Sequence, residues 1–260
     1  MAAPGALGAR HQRVERLRRL VRRHSVRASE RAFVLEGAKL LAEALDAGVV
    51  LEAVFVDHRA PGHEELLQRA GAAGARIHLL EPGVLERVAG TVTPQPVIAV
   101  AGWIDVPVDD VLDADLVVVC VDVRDPGNAG TVLRSAEAAG AGAVVFCDGS
   151  VDVFNPKTVR ASAGSLFHVP VVASGAPSEV LERLGAAGLR RHATVARGGT
   201  PYDEADLAAR VAIVLGNEAH GLPAGLESFL DGGLTVPMAG RAESLNVGMA
   251  AAVLCFESLR

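Results

Sequence analysis

Residues 211–223 read VAIVLGNEAHGLP. Five apolar residues, Val211 to Leu215, run without a break into Gly216-Asn217-Glu218-Ala219-His220-Gly221. A purely connecting loop needs no such mixture of charge and bracketing glycine. Glycine allows backbone angles and close approaches that other residues cannot make. In an open α/β sheet, ligands bind beyond the carboxyl ends of the strands. The stretch therefore asks whether other strands of this chain end the same way.

Two do. The stretch 117–142, VVVCVDVRDPGNAGTVLRSAEAAGAG, leads a buried strand into Asp122, Arg124, Asp125 and Pro126-Gly127-Asn128, and then into a helix carrying Arg134. Asn128 reads as an N-cap of that helix. An ordinary βα loop would account for Asn128 but not for an arginine near the helix mouth, where a phosphate could enter. The stretch 234–257, LTVPMAGRAESLNVGMAAAVLCFE, ends a strand at Pro237-Met238 and starts a helix of small residues at Ser244-Leu245-Asn246-Val247. It also reads as a tightly packed last helix with a serine cap. None of the three is a G-x-G-x-x-G fingerprint or a P-loop. Three polar strand ends in one sheet argue for one ligand site.

Around these loops the second half alternates. Strands are expected at 116–121, 143–146, 168–172, 192–195, 211–215 and 234–236, and helices at 128–140, 156–164, 177–187, 203–209, 222–230 and 244–258. Such alternation predicts a mainly parallel sheet covered on both faces. The first half reads as a small αβ domain with strands at 33–35, 51–56, 76–80 and 97–101. The expected division is 1–102, a linker at 103–115 carrying proline and acids, and 116–260.

Half of the 260 residues are apolar, enough for a sizeable core. Uninterrupted apolar runs such as 116–121 are far short of the roughly 20 residues that span a bilayer. The opening residues hold no apolar segment long enough for a secretion signal. Cys120, Cys147 and Cys255 are isolated in apolar surroundings, without metal-ligand spacing. A cytoplasmic protein with reduced core thiols, no membrane and no metal is expected. The net charge of −6 is uneven. Residues 10–31 hold nine arginines against Glu15 and Glu30, a surplus of seven that leaves −13 for the remainder. Val14, Leu17, Leu20 and Val21 recur at helical spacing there. The segment is an amphipathic basic helix, and its charge leaves two readings open: a solvated face, or a surface that tracks phosphates.

The stretches DPGNAGTVLRSAEAAGA, LGNEAHGL and VPMAGRAESLNVGMAAA together resemble the three ordered motifs of the SpoU/TrmH family of RNA 2'-O-ribose methyltransferases, within the SPOUT class. RASERAFVLEG and TPQPVIAV resemble pieces of the L30e-like substrate-binding domain common in that family. The sequence departs at Gln95-Pro96, where many relatives have Gln-Gly, and at Ala219 and His220 of the second motif. The resemblance implies an α/β fold with a C-terminal trefoil knot, a homodimer, and S-adenosylmethionine as cofactor. It implies that Thr194, Val195, Ala196, Leu215, Gly216, Asn217, Val236, Met238, Ser244, Leu245 and Asn246 hold that cofactor. It assigns catalysis to Arg134, with Asn128, Glu218, Ser244 and Asn246 arranging the site. RNA contacts are expected from Arg16, Arg19, Arg23, Arg27, Phe33 and Arg160. The expected substrate is a structured RNA, ribosomal RNA before transfer RNA. Base methylation by a SPOUT relative and a degenerate RNA-binding member are the competing readings. Which nucleotide is modified is not written in the sequence.

Overall fold

Apolar residues at three- and four-residue spacing in 12–22, and at two-residue spacing in 32–36, require a helix lying on a sheet. The computed structural model describes residues 5–57, 61–89 and 94–260; Thr93, the first residue of the TPQPVIAV stretch, lies outside them. The chain forms two compact units: Met1–Ile104 together with Phe154–Arg160, and Asp105–Val153 together with Ala161–Arg260.

The first unit contains α1 (Gln12–Arg22), α2 (His24–Glu30), β1 (Ala32–Glu36), α3 (Ala38–Asp46), β2 (Leu51–Asp57), α4 (Glu64–Ala72), β3 (Arg76–Leu80), α5 (Val84–Val88) and β4 (Val97–Gly102). The sheet order is β1-β4-β2-β3, with β4 antiparallel to both neighbours and β3 parallel to β2. Val14, Leu17 and Leu20 of α1 are fully buried against Val34, Phe55, Leu80 and Val100 of the sheet. The basic segment is not one helix, because Arg23 is extended (φ −122°, ψ 114°) and breaks it.

Two residues expected at an RNA surface lie in the interior. Phe33 has no exposed surface, because its ring packs 4.9 Å from that of Phe154, which stacks on Trp103 at 4.7 Å. Each such pair is worth about 0.5–1.5 kcal/mol beyond the area it buries. Arg27 is 2% exposed, and its Nη1 donates to the Leu20 carbonyl at 2.7 Å, one of the carbonyls that the end of α1 leaves open. Arg16 is tied to Glu30 (2.5 Å) and Glu52 (2.8 Å), and Arg160 to buried Glu36 (3.3 Å). Arg19 and Arg23 are exposed.

The second unit contains β5 (Leu116–Cys120), α6 (Pro126–Ala138), β6 (Ala143–Phe146), α7 (Pro156–Ala161, of which only Ala161 belongs here), β7 (Val171–Val172), α8 (Pro177–Ala186), β8 (Arg190–Thr194), β9 (Thr200–Pro201), β10 (Val211–Leu215), β11 (Gly232–Thr235) and α9 (Val247–Glu257). Its sheet has the order β7-β6-β5-β10-β8-β11-β9, and every pairing is parallel. β5, β6 and β10 are buried along their whole length, as strands covered on both faces must be. β10 enters between β5 and β8, which precede it in the chain.

Several expected elements differ. The residues 105–115 are not a free linker: Val106 N donates to Val171 O (2.9 Å), and Val111 is 3% exposed in the core. No helix forms over 203–209. Only the 3-10 turn Glu227–Phe229 forms within 222–230, where Pro223 and Gly225 (φ 91°) interrupt helical geometry. Pro170 likewise leaves only Val171–Val172 of the strand expected over 168–172.

α6 passes close to the turn after α7. A Cβ added at Gly130 would lie 2.3 Å from Ala161 Cβ and 2.6 Å from its carbonyl carbon. Alanine gains roughly 1 kcal/mol over glycine in a helix interior, but overpacking costs about 1–3 kcal/mol. The clash is against backbone, which cannot swing away, so Gly130→Ala should lower the denaturation midpoint. At Gly71 in α4 the nearest atom to an added Cβ is 4.0 Å away, so Gly71→Ala should add about 0.5–1 kcal/mol of stability and raise the midpoint. Urea titrations of the two variants check the opposite signs.

Candidate active site

Beyond Cys120 the chain turns at Asp122, whose φ of 58° is left-handed. Asp125 then caps α6: its carboxylate accepts from Asn128 N at 2.9 Å, and Pro126 occupies the first turn. Asn128 is thus not the cap expected from the sequence. It sits inside the first turn with its carboxamide free for another use. The Asp-Pro pair is the signal that could have shown this, since proline is favoured where a helix has no use for an N–H.

The Gly-Asn-Glu-Ala-His-Gly stretch is a closed loop. Asn217 and Gly221 exchange backbone hydrogen bonds at 2.8 and 2.9 Å. The Asn217 Oδ1 accepts from Ala219 N (2.9 Å) and His220 N (3.1 Å), and its Nδ2 donates to Asp122 O (3.0 Å). Gly216 is obligatory, because a Cβ there would meet the Gly221 carbonyl carbon at 2.5 Å. The loop presents Glu218 to the start of α6. Glu218 Oε1 accepts from Asn128 Nδ2 (2.8 Å) and Asp125 N (3.3 Å), and Oε2 from Arg124 N (3.5 Å). Asn128 Oδ1 accepts from Asn246 Nδ2 at 2.8 Å. Asn246 in turn caps α9, with Oδ1 accepting from Gly248 N (2.9 Å) and Met249 N (3.4 Å). Asn246, rather than Ser244, is the cap of the last helix.

This chain of contacts has one direction. An ionised carboxylate only accepts, so the Asn128 amide nitrogen must face Glu218. Its oxygen must then face the Asn246 nitrogen, and the Asn246 oxygen the N–H groups of α9. Partial burial works to raise the Glu218 carboxyl pKa, but the donors from Asn128 and from the backbone outweigh it and hold the group below its ordinary value. Glu218 is therefore a fixed anion that orients its neighbours, with its lone pairs already engaged.

Beside the tie lies a cavity of about 500 Å³. Thr194, Val195 and Ala196 follow β8, Gly216 to Gly221 follow β10, and Val236 and Met238 follow β11. Ser244, Leu245, Asn246 and Val247 close it with Ala250 and Leu254 of α9, and Asn128 reaches it from α6. The cavity therefore opens at the carboxyl ends of adjacent strands, where ligands of parallel sheets bind. Its size fits a small cofactor. Val195, Val236, Met238, Leu245 and Leu254 offer apolar surface for ring faces, while Thr194, Asn217 and Ser244 offer polar groups for edges. The Glu218 anion suits a ligand with cationic groups. These residues fit S-adenosylmethionine.

Two of the expected residues are not in the lining. Leu215 is fully buried within β10. Arg134 is exposed on α6, about 9 Å along the axis from Asn128. Ala219, His220, Gly221, Leu234, Val247, Ala250 and Leu254 line the cavity without having been anticipated. Among the described residues no group of His, Cys, Asp and Glu could hold a metal, and no helix is long and apolar enough to cross a membrane. The three cysteines are free and buried.

Known proteins resemble this chain in sequence and in fold. Residues 115–256 match the SpoU rRNA Methylase family, and residues 11–99 the MRM3-like substrate binding domain. Over 250 residues the chain is 38% identical to the 23S rRNA (guanosine(2553)-2'-O)-methyltransferase RlmP of Bacillus subtilis (strain 168), covering 95% of this chain and 96% of that protein. An AdoMet-bound rRNA methyltransferase from Sinorhizobium meliloti aligns with a TM-score of 0.85 at 30% identity, over 95% of this chain and 94% of that one. The SpoU methyltransferase AviRb from Streptomyces viridochromogenes, in complex with AdoMet, aligns with a TM-score of 0.84 at 26% identity, over 96% and 98%. With its family motifs joined by Glu218, Asn128 and Asn246 around one cavity, this chain belongs to the SpoU rRNA methylase family.

Proposed function

We propose that this protein is an S-adenosylmethionine-dependent methyltransferase that modifies a ribose 2'-hydroxyl of 23S rRNA. The observation that carries the reading is the Glu218–Asn128–Asn246 tie beside a cofactor-sized cavity at the strand ends. Bound there, S-adenosylmethionine supplies a methyl group already activated on a sulfonium. The protein's own task is position and electrostatics. Thr194 to Ala196 and Val236 to Met238 would hold the cofactor's flat portion, and Ser244 to Asn246 would order the loop against which the ribose lies. Glu218 acts by fixing Asn128 and Asn246, because a carboxylate whose lone pairs are engaged and whose pKa is lowered is a poor proton acceptor.

Arg134 takes the RNA-facing role. No carboxylate among the described residues pairs with it. A guanidinium keeps its proton near neutral pH, so it serves as a phosphate anchor that favours ionisation of the neighbouring hydroxyl. A cytoplasmic site of action accords with a ribosomal substrate. A C-terminal trefoil knot accords with β10 entering the sheet between two earlier strands. A homodimer through α9 would cover Met249, Phe256 and Leu259, which are 60%, 49% and 61% exposed on the last helix and its end. Sedimentation at micromolar concentration should give twice the 26.8 kDa chain mass, and a monomer would contradict this interface.

Alkaline cleavage of RNA needs a free 2'-oxygen. RNA treated with the protein and S-adenosylmethionine should therefore lose one rung of its hydrolysis ladder. Incorporated methyl label with a complete ladder would mean a base is modified instead. Arg134→Ala should reduce methyl transfer by about 10²-fold or more while leaving cofactor affinity within about twofold, since it removes a transition-state contact. Glu218→Gln should weaken cofactor binding as well, because the tie at the cavity wall loses its fixed direction. Calorimetric titration with S-adenosylmethionine separates the two variants, and equal cofactor affinity in both would contradict the division of roles.

A further inference from the structure

Alternate residues of β3 share one face. On the α1 side these are Leu80, His78 and Arg76. Leu80 is fully buried in the core under α1. The face continues into His78, partly buried with its ring 5.2 Å from that of Phe55, and ends at exposed Arg76. An interior face thus runs out in basic rather than apolar side chains. The segment before α1 lies along the outer edge of the same strand, where Leu7 N donates to Leu79 O (2.8 Å) and Leu7 O accepts from Glu81 N (3.0 Å). This pairing delivers His11 and Arg13 to the start of α1, close enough to act with Arg76 on the charge of His78. His11 caps α1 by accepting from Arg13 N at 3.2 Å.

The arginines of the basic segment are otherwise divided. Arg16 is bound by Glu30 and Glu52, Arg18 by Glu15, and Arg27 by main-chain carbonyls. Arg13 and Arg76 have no carboxylate partner among the described residues. Glu81, at the end of β3, lies against Gly8. Like charges gathered without a counter-charge cost stability and gain only when an anion arrives. Guanidinium is the side chain best matched to phosphate oxygens.

We propose that Arg13 and Arg76, flanking His11 and His78, form a phosphate-backbone site for the RNA substrate on the first unit. The proposal rests on the reading of the substrate as RNA. It moves the expected contact away from Arg16 and Arg27 to Arg13 of the same arginine-rich segment, and adds Arg76, which the sequence did not single out. Burial, and then Arg13, Arg76 and His11, lower the pKa of His78. A neutral imidazole can hydrogen-bond a ribose or phosphate oxygen without adding to the repulsion.

The test uses the full chain, carrying Arg13→Gln with Arg76→Gln, and unmodified 23S rRNA transcribed in vitro as the probe. Filter binding across a salt series should show affinity at least about tenfold weaker and a log–log salt slope smaller by about 2, one for each lost phosphate contact. The KM for RNA should rise in step, with kcat at saturating RNA and the calorimetric affinity for S-adenosylmethionine unchanged. The paired Arg→Lys substitutions should restore most of the slope, and Arg16→Gln should leave it alone. A double variant with wild-type affinity and slope overturns the site, as it would if this surface faced an acidic protein instead. Wild-type protein that binds rRNA through these residues yet transfers no methyl would refute the enzymatic reading and leave the site standing.

Discussion

The carboxamide of Asn128 is the joint on which the catalytic unit turns. It receives Asn246 through its oxygen and gives its nitrogen to Glu218, residues 118 and 90 positions away. Each partner lies beyond the end of a different strand, Glu218 after β10 and Asn246 after β11. The charge of Glu218 sets the direction of the whole series, because a carboxylate has no proton to give. Once that end is fixed, every amide downstream has one permissible orientation, and the last oxygen can only cap α9. The helix that closes the cavity is thus oriented by an anion on the far side of it.

The same economy explains the loops. Asp125 takes over the capping of α6, which releases Asn128 for the tie. Asn217 satisfies its own loop and also reaches Asp122 O, so the turns after β5 and β10 are fastened together. Polar groups that would be costly to leave unpaired at strand ends are therefore nearly all committed to shape. What is left over faces the ligand. This division accounts for an enzyme family in which the cofactor carries the reactive group and the protein contributes geometry.

The first unit divides its charge in a comparable way. A helix with this many arginines can sit on a core only if some of them are neutralised nearby, and Glu30, Glu52 and Glu15 do that for Arg16 and Arg18. Arg27 goes further and serves as a structural donor beneath the surface. Arg13 has no carboxylate partner among the described residues, and its place at the start of α1 follows from how the N-terminal segment pairs with β3.

The sequence by itself determined the parallel sheet, because strands such as 211–215 are apolar throughout and can only lie inside one. It determined that the strand ends carry the chemistry, because glycine, asparagine and glutamate cluster there against an otherwise plain pattern. It also marked Asn128, Glu218 and Asn246 as functional types. Only the tertiary structure decided that these three touch one another, since contacts across 90 and 118 residues leave no local signature. It decided too that Arg27 and Phe33 are interior. Charge and aromaticity suggest a surface in one dimension, but burial depends on which neighbours the fold brings. The order of strands had the same origin: β10 lies between β5 and β8 by long-range pairing, and no periodicity in the sequence encodes that.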